Sequence, residues 1–465
     1  MGLISTILLW LLAIALAITL LVLISLYIRG AFRWRPLVFI ENAIAPQDDR
    51  FSLPITSLSK SIPTTGQIVG FWDTVQSIQQ ARLDAINSAR YSIQFETFMM
   101  MPGRRAQDFA AAVSRKAAEG VDVQVMVDSM GARSVPDKYW SRLRSAGVQV
   151  VIFNPFDWRA PANFSGRTHR KLLIIDSQKV LIGGAGMCDL WDGTEKSDDT
   201  KPWLDMEVAL TGEVVSVAAA AFQEHWQGHR REETVAAIDI AKIYPPTDLS
   251  NSPAAATEAT TSTTSTTTDT TTDEKETDQQ TYSIVVTPGN RPSYRASSIE
   301  MLKQTLIASA QQRIWLSSPY FLPNESTRQL LIRAKQSGVE VRILTTSARS
   351  DKKPVYYASY EAYGPLLEAG IQIFEYQPSM LHAKMLIIDH EWVNTGSANF
   401  DYRSFLHNDE LDILVNSSDL VQRIEGVFEK GFAQSRQIGL KRWQHRSWLK
   451  HRLLGNAVRL VQWQL

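Results

Sequence analysis

Two triplets in this chain have the residue types and spacing for nucleophilic and acid–base work: His169, Lys171 and Asp176, then His382, Lys384 and Asp389. An imidazole with a pKa near 6.5 can attack or pass a proton near neutrality. A lysine beside it supplies fixed positive charge. Side chains alternate along a strand, so a histidine and a lysine two residues apart project to one side. The LLII and MLII that follow read as strands buried on both faces, which hold those groups rigidly. A buried strand is a poor place for an imidazole and an ammonium unless a pocket receives them. Seven residues past each Asp, Gly183 opens GGAG and Gly396 opens GSAN, and glycine there permits close backbone approach beside a phosphate oxygen. A single H-x-K is ordinarily a satisfied core histidine with a snorkelling lysine. Two in register, each on an equivalent apolar strand, point to chemistry.

The elements that position these groups are themselves repeated. SARYSIQFETFMMMPG from Ser88 returns as SAQQRIWLSSPYFLPN from Ser309, and EGVDVQVMVDS from Glu119 returns as SGVEVRILTTS from Ser337. RSAGVQVVIFNP from Arg144 is echoed by LEAGIQIFEYQP from Leu367, and HRKLLIIDSQKVLIGGAG from His169 by HAKMLIIDHEWVNTGSAN from His382. Four echoes in one order mark a tandem duplication. Val121–Val127 and Val339–Leu344 read as strands, Gln107–Glu119 as a helix, and Ser297 with Glu300 as a capping box opening another. Alternating strands and helices predict an α/β fold: two tandem sandwich repeats in one pseudo-twofold unit, preceded by a transmembrane helix.

The doubled H-x-K-x4-D followed by a G-S-x-N-type turn resembles the phospholipase D superfamily, from about residue 68 to the C-terminus. RTHRKLLIID, IGGAG, SPYFLP, MLHAKMLIID and TGSANFDYRSF look closer still to bacterial cardiolipin synthases. The resemblance implies one active site shared by both halves and phosphatidyl transfer through a phosphohistidine, with no metal or cofactor. It makes His169 the nucleophile and His382 the acid/base. The implied reaction joins two phosphatidylglycerols into cardiolipin and glycerol. A hydrolytic phospholipase D giving phosphatidic acid would use the same residues, and a nucleic-acid phosphodiesterase is a third possibility.

The residues agree with that implication. Breaking a phosphodiester takes a nucleophile, an acid for the leaving alcohol and positive charge for the phosphate oxygens. Two histidines divide the first two tasks, Lys171 and Lys384 supply the charge, and Ser397 and Asn399 offer donors to the phosphate. Gly184 and Gly186 occupy the matching places in the first half, which leaves backbone N–H groups there. Each histidine needs a carboxylate on its other ring nitrogen. Asp205 and Glu410, about thirty residues past the motifs on the next strand of each unit, are the candidates, and aligning the repeats also pairs Glu207 with Asp412. The Asp176 and Asp389 carboxylates are expected either at the site or in structural pairing. His225 and His229, one helical turn apart without a third ligand, are expected on the surface.

Composition narrows the setting. The chain has 465 residues, and 48 Lys+Arg balance 48 Asp+Glu, which argues against nucleic acid held by bulk charge. Cys188 is the single cysteine and permits no intrachain disulfide. The segment 3–28 is uncharged and long enough to span a bilayer, longer than a signal-peptide core of about 7–15 residues. Arg29, Arg33 and Arg35 follow it, so the positive-inside rule puts the catalytic domain in the cytoplasm, beneath a single-pass span in the cell (inner) membrane. The expected division is anchor 3–28, first repeat 68–246, disordered Thr-rich linker 247–282, second repeat 283–440, and basic C-terminal helix 441–465. That last segment, with interleaved Trp443, Trp448 and Trp463, suits either an anionic membrane surface or a helix packed on the catalytic domain. The expected partners are membrane phospholipids.

Overall fold

The computed structural model describes residues 2–28, 40–159, 166–193, 201–229, 280–289 and 297–460. The linker 247–282 up to residue 279, and Arg29, Arg33 and Arg35, lie outside the described residues.

Both repeats contribute to one 16-stranded sheet, joined edge to edge where Ile62–Trp72 pairs antiparallel with Tyr282–Gly289. Outward from this seam the first half runs Glu207–Thr211, Lys179–Gly183, Leu172–Ile175, Ser92–Thr97, Asp122–Asp128 and Gln149–Phe153. The second half runs Asn408–Asn416, Trp392–Gly396, Met385–Ile388, Arg313–Ser318, Glu340–Thr346 and Gln372–Tyr376, with Ser435–Ile438 added at its edge. The order is the same on both sides, as duplication requires. The predicted strands and the helix near Gln107 appear within a few residues as Asp122–Asp128, Glu340–Thr346 and Arg104–Ala118. Ser297 caps its helix by accepting the Glu300 N–H, while the Glu300 carboxylate turns to Asn324 and Gln304.

The apolar strands are covered on both faces, which explains their unbroken hydrophobic runs. Leu172 and Ile174 enter a core with Phe222 and Trp226, whereas Leu173 and Ile175 enter one with Phe109 and Val113. Met385 and Ile387 join the first of these cores beside Ile424 and Phe428, and Leu386 and Ile388 join Leu302 and Leu306 on the other face. The core holding Phe222 and Phe428 therefore belongs to both halves. It fastens the helices Glu213–His229 and Ser418–Ala433 to one sheet.

Gly2–Ile28 is one helix, about 40 Å long at roughly 1.5 Å per residue, and its large apolar side chains from Ile4 to Ile24 are exposed. By length and composition it can cross a bilayer. The tail departs from the single helix expected over 441–465: it comprises short turns at Leu440–Gln444, Trp448–Gly455 and Asn456–Arg459. The helix stops at His445 because Arg446 turns inward to a bidentate pair with Glu361 at 2.5 and 2.6 Å. Trp443 Nε1 donates to the Tyr360 carbonyl nearby.

Truncating Ile387, whose side chain lies in the shared core, should therefore cost about 2–5 kcal/mol. Urea unfolding of the Ile387→Ala chain in detergent checks this, and the loss should loosen both halves together.

Candidate active site

The two histidines are delivered by segments that cross between the halves. Arg167–Thr168 pairs parallel with Asn408–Asp409, and the His169 N–H donates to the Asp409 carbonyl at 2.8 Å. In the mirror position the His382 N–H donates to the Leu204 carbonyl at 2.8 Å, and the Leu204 N–H to the Met380 carbonyl at 3.0 Å. Each histidine backbone is thus tied to the residue before the other half's carboxylate. The side chains follow. His169 Nδ1 lies 3.0 Å from both oxygens of Glu410, and His382 Nδ1 lies 2.9 Å from Asp205 Oδ2. Both carboxylates predicted from the spacing are present, and each serves the histidine of the opposite repeat.

An ionised carboxylate only accepts, so Nδ1 carries the proton and Nε2 keeps a lone pair for the site. The electrostatics support that state. Burial, joined by Lys171 at His169 and by Lys384 at His382, pulls each imidazole down to about 4 against its partner carboxylate. Burial pushes Glu410 up, but His169, Lys171 and Ser397 outweigh it and hold the carboxyl at about 2. Asp205 is lowered in the same way, with His382, Lys384 and Trp191 outweighing burial.

The lysines point back at the motif. Lys171 Nζ donates to the His169 carbonyl at 2.6 Å, and Lys384 Nζ to the His382 carbonyl at 2.5 Å. Lys384 Nζ also lies 3.0 and 3.2 Å from the two His382 ring nitrogens. Burial, then Lys384, lowers Lys171 to about 7, and burial lowers Lys384 to about 8 despite Asp205 and Glu410. An anion between them would relieve both. Phe98 stands edge-on to His169 at 5.3 Å between ring centroids, and Trp191 and Trp203 flank His382 at 4.9 and 5.8 Å.

Ser397 has a different task from the one its position suggested. Its hydroxyl donates to Glu410 Oε2 at 2.5 Å and accepts the Leu411 N–H, so it holds the carboxylate instead of facing a phosphate. Asn399 is 3% exposed, and its Oδ1 has no partner among the described residues. In the first half a Cβ on Gly184 would sit 2.3 Å from Asp205 Oδ1, so serine does not fit there. The missing hydrogen bond is supplied by Trp191 Nε1, which donates to Asp205 Oδ2 at 2.9 Å. Behind the two glycine turns, the aligned Glu207 and Asp412 pair with Arg82 and Lys303. Arg82 in turn donates to the Ala185 carbonyl at 2.9 Å and Lys303 to the Ala398 carbonyl at 2.7 Å.

Asp176 and Asp389 do not join the site. They lie beyond the far ends of the LLII and MLII strands, five residues or about 16 Å from Lys171 and Lys384 at roughly 3.3 Å per residue. Asp176 accepts the N–H groups of Arg90, Tyr91 and Ser92, and Asp389 those of Gln311, Gln312 and Arg313. Both are structural clamps that fix the start of the neighbouring strand. His225 is buried, contrary to its expected surface position, with Nδ1 2.9 Å from Glu96 Oε1 and Nε2 3.8 Å from Asp409. Thr168 also donates to Glu96, so this network braces the segment that carries His169. His229, half-buried, lies on the Phe153 ring. Sequence reasoning missed Glu96 and Trp191, and set His225 on the surface. Glu96 alone left a signal, as an acid inside the strand-like SIQFET.

The comparisons agree with the geometry. The family described as "Cardiolipin synthase, PLD-like domain" matches residues 83–191 and 304–431. A cardiolipin synthase A of Pseudomonas fluorescens is 30% identical over 82% of this chain and 71% of its own length. One from Pseudomonas syringae is 28% identical over 93% of this chain and 82% of its own. Among solved structures, a phosphatidylserine synthase of Haemophilus influenzae has a TM-score of 0.63 at 14% identity, covering 89% of this chain and 99% of its own, a likeness of fold.

Lys171 binds fewer protons folded than unfolded between about pH 7 and its ordinary value of 10.5, so its contribution to stability rises with pH across that window. Lys171→Met should therefore melt above the unsubstituted chain at pH 6, with the difference closing toward pH 10. Calorimetry at the two pH values checks the sign.

Proposed function

The chain belongs to the cardiolipin synthase family of phospholipase D-like enzymes, and from that premise we propose its reaction: phosphatidyl transfer between two phosphatidylglycerols, giving cardiolipin and glycerol. The observation that carries the reading is the pair of buried imidazoles, each with Nδ1 on a carboxylate of the opposite half and with its own backbone carbonyl taken by the lysine two residues on.

In the first step His169 Nε2 attacks the donor phosphorus. The P–O bond to the headgroup glycerol breaks, and His382 gives that oxygen its proton. The phosphate's own charge raises the His382 pKa from about 4 and so loads the acid. Glu410 steadies the phosphohistidine cation, and Lys171 and Lys384 hold the non-bridging oxygens. In the second step neutral His382 takes the proton from a hydroxyl of the second phosphatidylglycerol. That oxygen attacks phosphorus, the P–N bond breaks, and His169 is regenerated. We read the Gly2–Ile28 helix as a single span that keeps the site at the lipid surface, and the positive-inside rule applied to Arg29, Arg33 and Arg35 favours a cytoplasmic catalytic unit.

Purified full-length chain given labelled phosphatidylglycerol should yield cardiolipin and free glycerol. Phosphatidic acid as the main product would overturn transfer in favour of hydrolysis. His382→Ala should slow transfer about 10²–10⁴-fold, yet with phosphatidyl-p-nitrophenol, whose leaving group needs no acid, it should accumulate phosphohistidine at His169. His169→Ala should accumulate none.

The pH profile follows from the same groups. As pH rises, the free enzyme loses charge at Lys171 near 7 and at Lys384 near 8, so kcat/KM should fall through that range. Bound phosphate favours the charged lysines, which moves the corresponding limb of kcat to higher pH. Below about pH 4, protonation of His169 should remove the nucleophile. Initial rates from pH 3 to 10 test this, and coincident alkaline limbs for kcat and kcat/KM would count against it.

A further inference from the structure

A cavity of about 470 Å³ lies apart from the catalytic histidines. It opens where the chain leaves the strands Glu340–Thr346 and Gln372–Tyr376, and its other walls are the helix Lys353–Ala362, the edge strand Ser435–Ile438 and the tail. The parallel register of these strands with Arg313–Ser318, and the antiparallel pairing of Ser317 with Met385, put His382 beyond the same edge of the sheet. The cavity and the catalytic site therefore face the same side. A small apolar cluster of Tyr320, Val355 and Met380, with Trp203 packed on it beside His382, leads from one toward the other.

Four cationic side chains line the cavity, Arg349, Lys353, Arg436 and Arg442, against one carboxylate, Glu375. Arg349 donates to the Gln377 carbonyl and Lys353 to the Ala348 carbonyl, and the Lys353 ammonium has further N–H groups to offer a ligand. Glu375 is 4% exposed, and its Oε1 has no partner among the described residues, while Oε2 takes the Tyr356 hydroxyl at 3.5 Å. Burial pushes this carboxyl up to about 7. An unpartnered buried acceptor costs free energy until a donor arrives. The cavity thus asks for two things at once: an anion for the arginines and a hydroxyl for Glu375. Its tail wall adds a third. His451 lines the cavity, and in the same helical segment Trp448, Leu449 and Leu453 are 65%, 62% and 51% exposed. Exposed apolar side chains beside a cationic pocket suit a ligand that is itself amphipathic.

We propose that this cavity is a second, non-catalytic headgroup site for an anionic glycerophospholipid whose headgroup bears hydroxyls. The phosphate rests on Lys353, Arg436 and Arg442, a headgroup hydroxyl donates to Glu375, and the acyl chains lie along Trp448, Leu449 and Leu453. The site takes no part in bond breaking and goes beyond the reaction proposed above. It would hold a second lipid on the side of the sheet where transfer occurs.

The test titrates the full-length His169→Ala chain in detergent micelles, so that no lipid turns over, with dihexanoyl phosphatidylglycerol, sn-glycero-3-phosphoglycerol and inorganic phosphate by calorimetry. Two lipid equivalents per chain are expected. Adding Arg436→Gln and Arg442→Gln, both exposed positions, should weaken one equivalent at least about tenfold and leave the other. Glu375→Gln should cost phosphatidylglycerol more affinity than dihexanoyl phosphatidic acid, which has no headgroup hydroxyl. One equivalent in the starting chain, or an unchanged second equivalent in the double arginine variant, overturns the site. Inorganic phosphate competing as well as the lipid makes it a free-phosphate site and overturns the lipid assignment. With His169 restored, the labelled transfer assay separates the two claims: the second equivalent can stand while transfer fails, and transfer can stand while the second equivalent is missing.

Discussion

Everything in the catalytic unit depends on an exchange of carboxylates. His169 leans on Glu410 and His382 on Asp205, so neither repeat owns a complete imidazole–carboxylate pair. Burying such pairs is costly unless every oxygen finds a donor. Glu410 meets this with His169, Ser397 and Asn408, and Asp205 with His382, Trp191 and the Met206 N–H. That saturation requires the halves to meet in one register. The antiparallel seam of the sheet and the core shared by Phe222 and Phe428 hold that register.

The twofold symmetry is broken where the carboxylates are held. In the second half a serine follows the first glycine of the turn and its hydroxyl reaches Glu410. In the first half Asp205 crowds the corresponding glycine so closely that no side chain fits, and an indole from a different segment brings the hydrogen bond instead. Trp191 also packs edge-on to His382, so one residue both orients the carboxylate and walls the imidazole. The halves retain the same electrostatic arrangement with different donors, which is how duplicated sites diverge without losing their chemistry.

The lysines show why a phosphodiester suits this site. Two ammonium groups buried within electrostatic reach of one another are each held below their ordinary pKa. Their surroundings satisfy them only in part, through carbonyls of the very histidines they assist. A phosphodiester supplies compensating negative charge, which favours its binding between them. The Arg82–Glu207 and Lys303–Asp412 pairs lie beneath the glycine turns and keep those turns fixed while the charge on top of them changes.

Much of this was legible in the residues alone. The doubled His–Lys spacing, the apolar strands behind it, the repeat order and the two carboxylates about one strand further on are local or periodic features, and these survive in one dimension. The spacing also drew in Asp176 and Asp389, because a five-residue separation in sequence does not show that a strand carries the acid to its far end. Ser397 was placed beside the phosphate for a similar reason: position in a turn does not reveal where a hydroxyl points. The pairing of His169 with Glu410 spans 241 residues and that of His382 with Asp205 spans 177. Such partners are chosen by strand register across the seam, as are the Trp191 donor and the burial of His225. The sequence by itself determined which groups exist and what charge they carry. Only the tertiary structure decided which groups meet, because a contact between distant segments depends on the packing of everything between them.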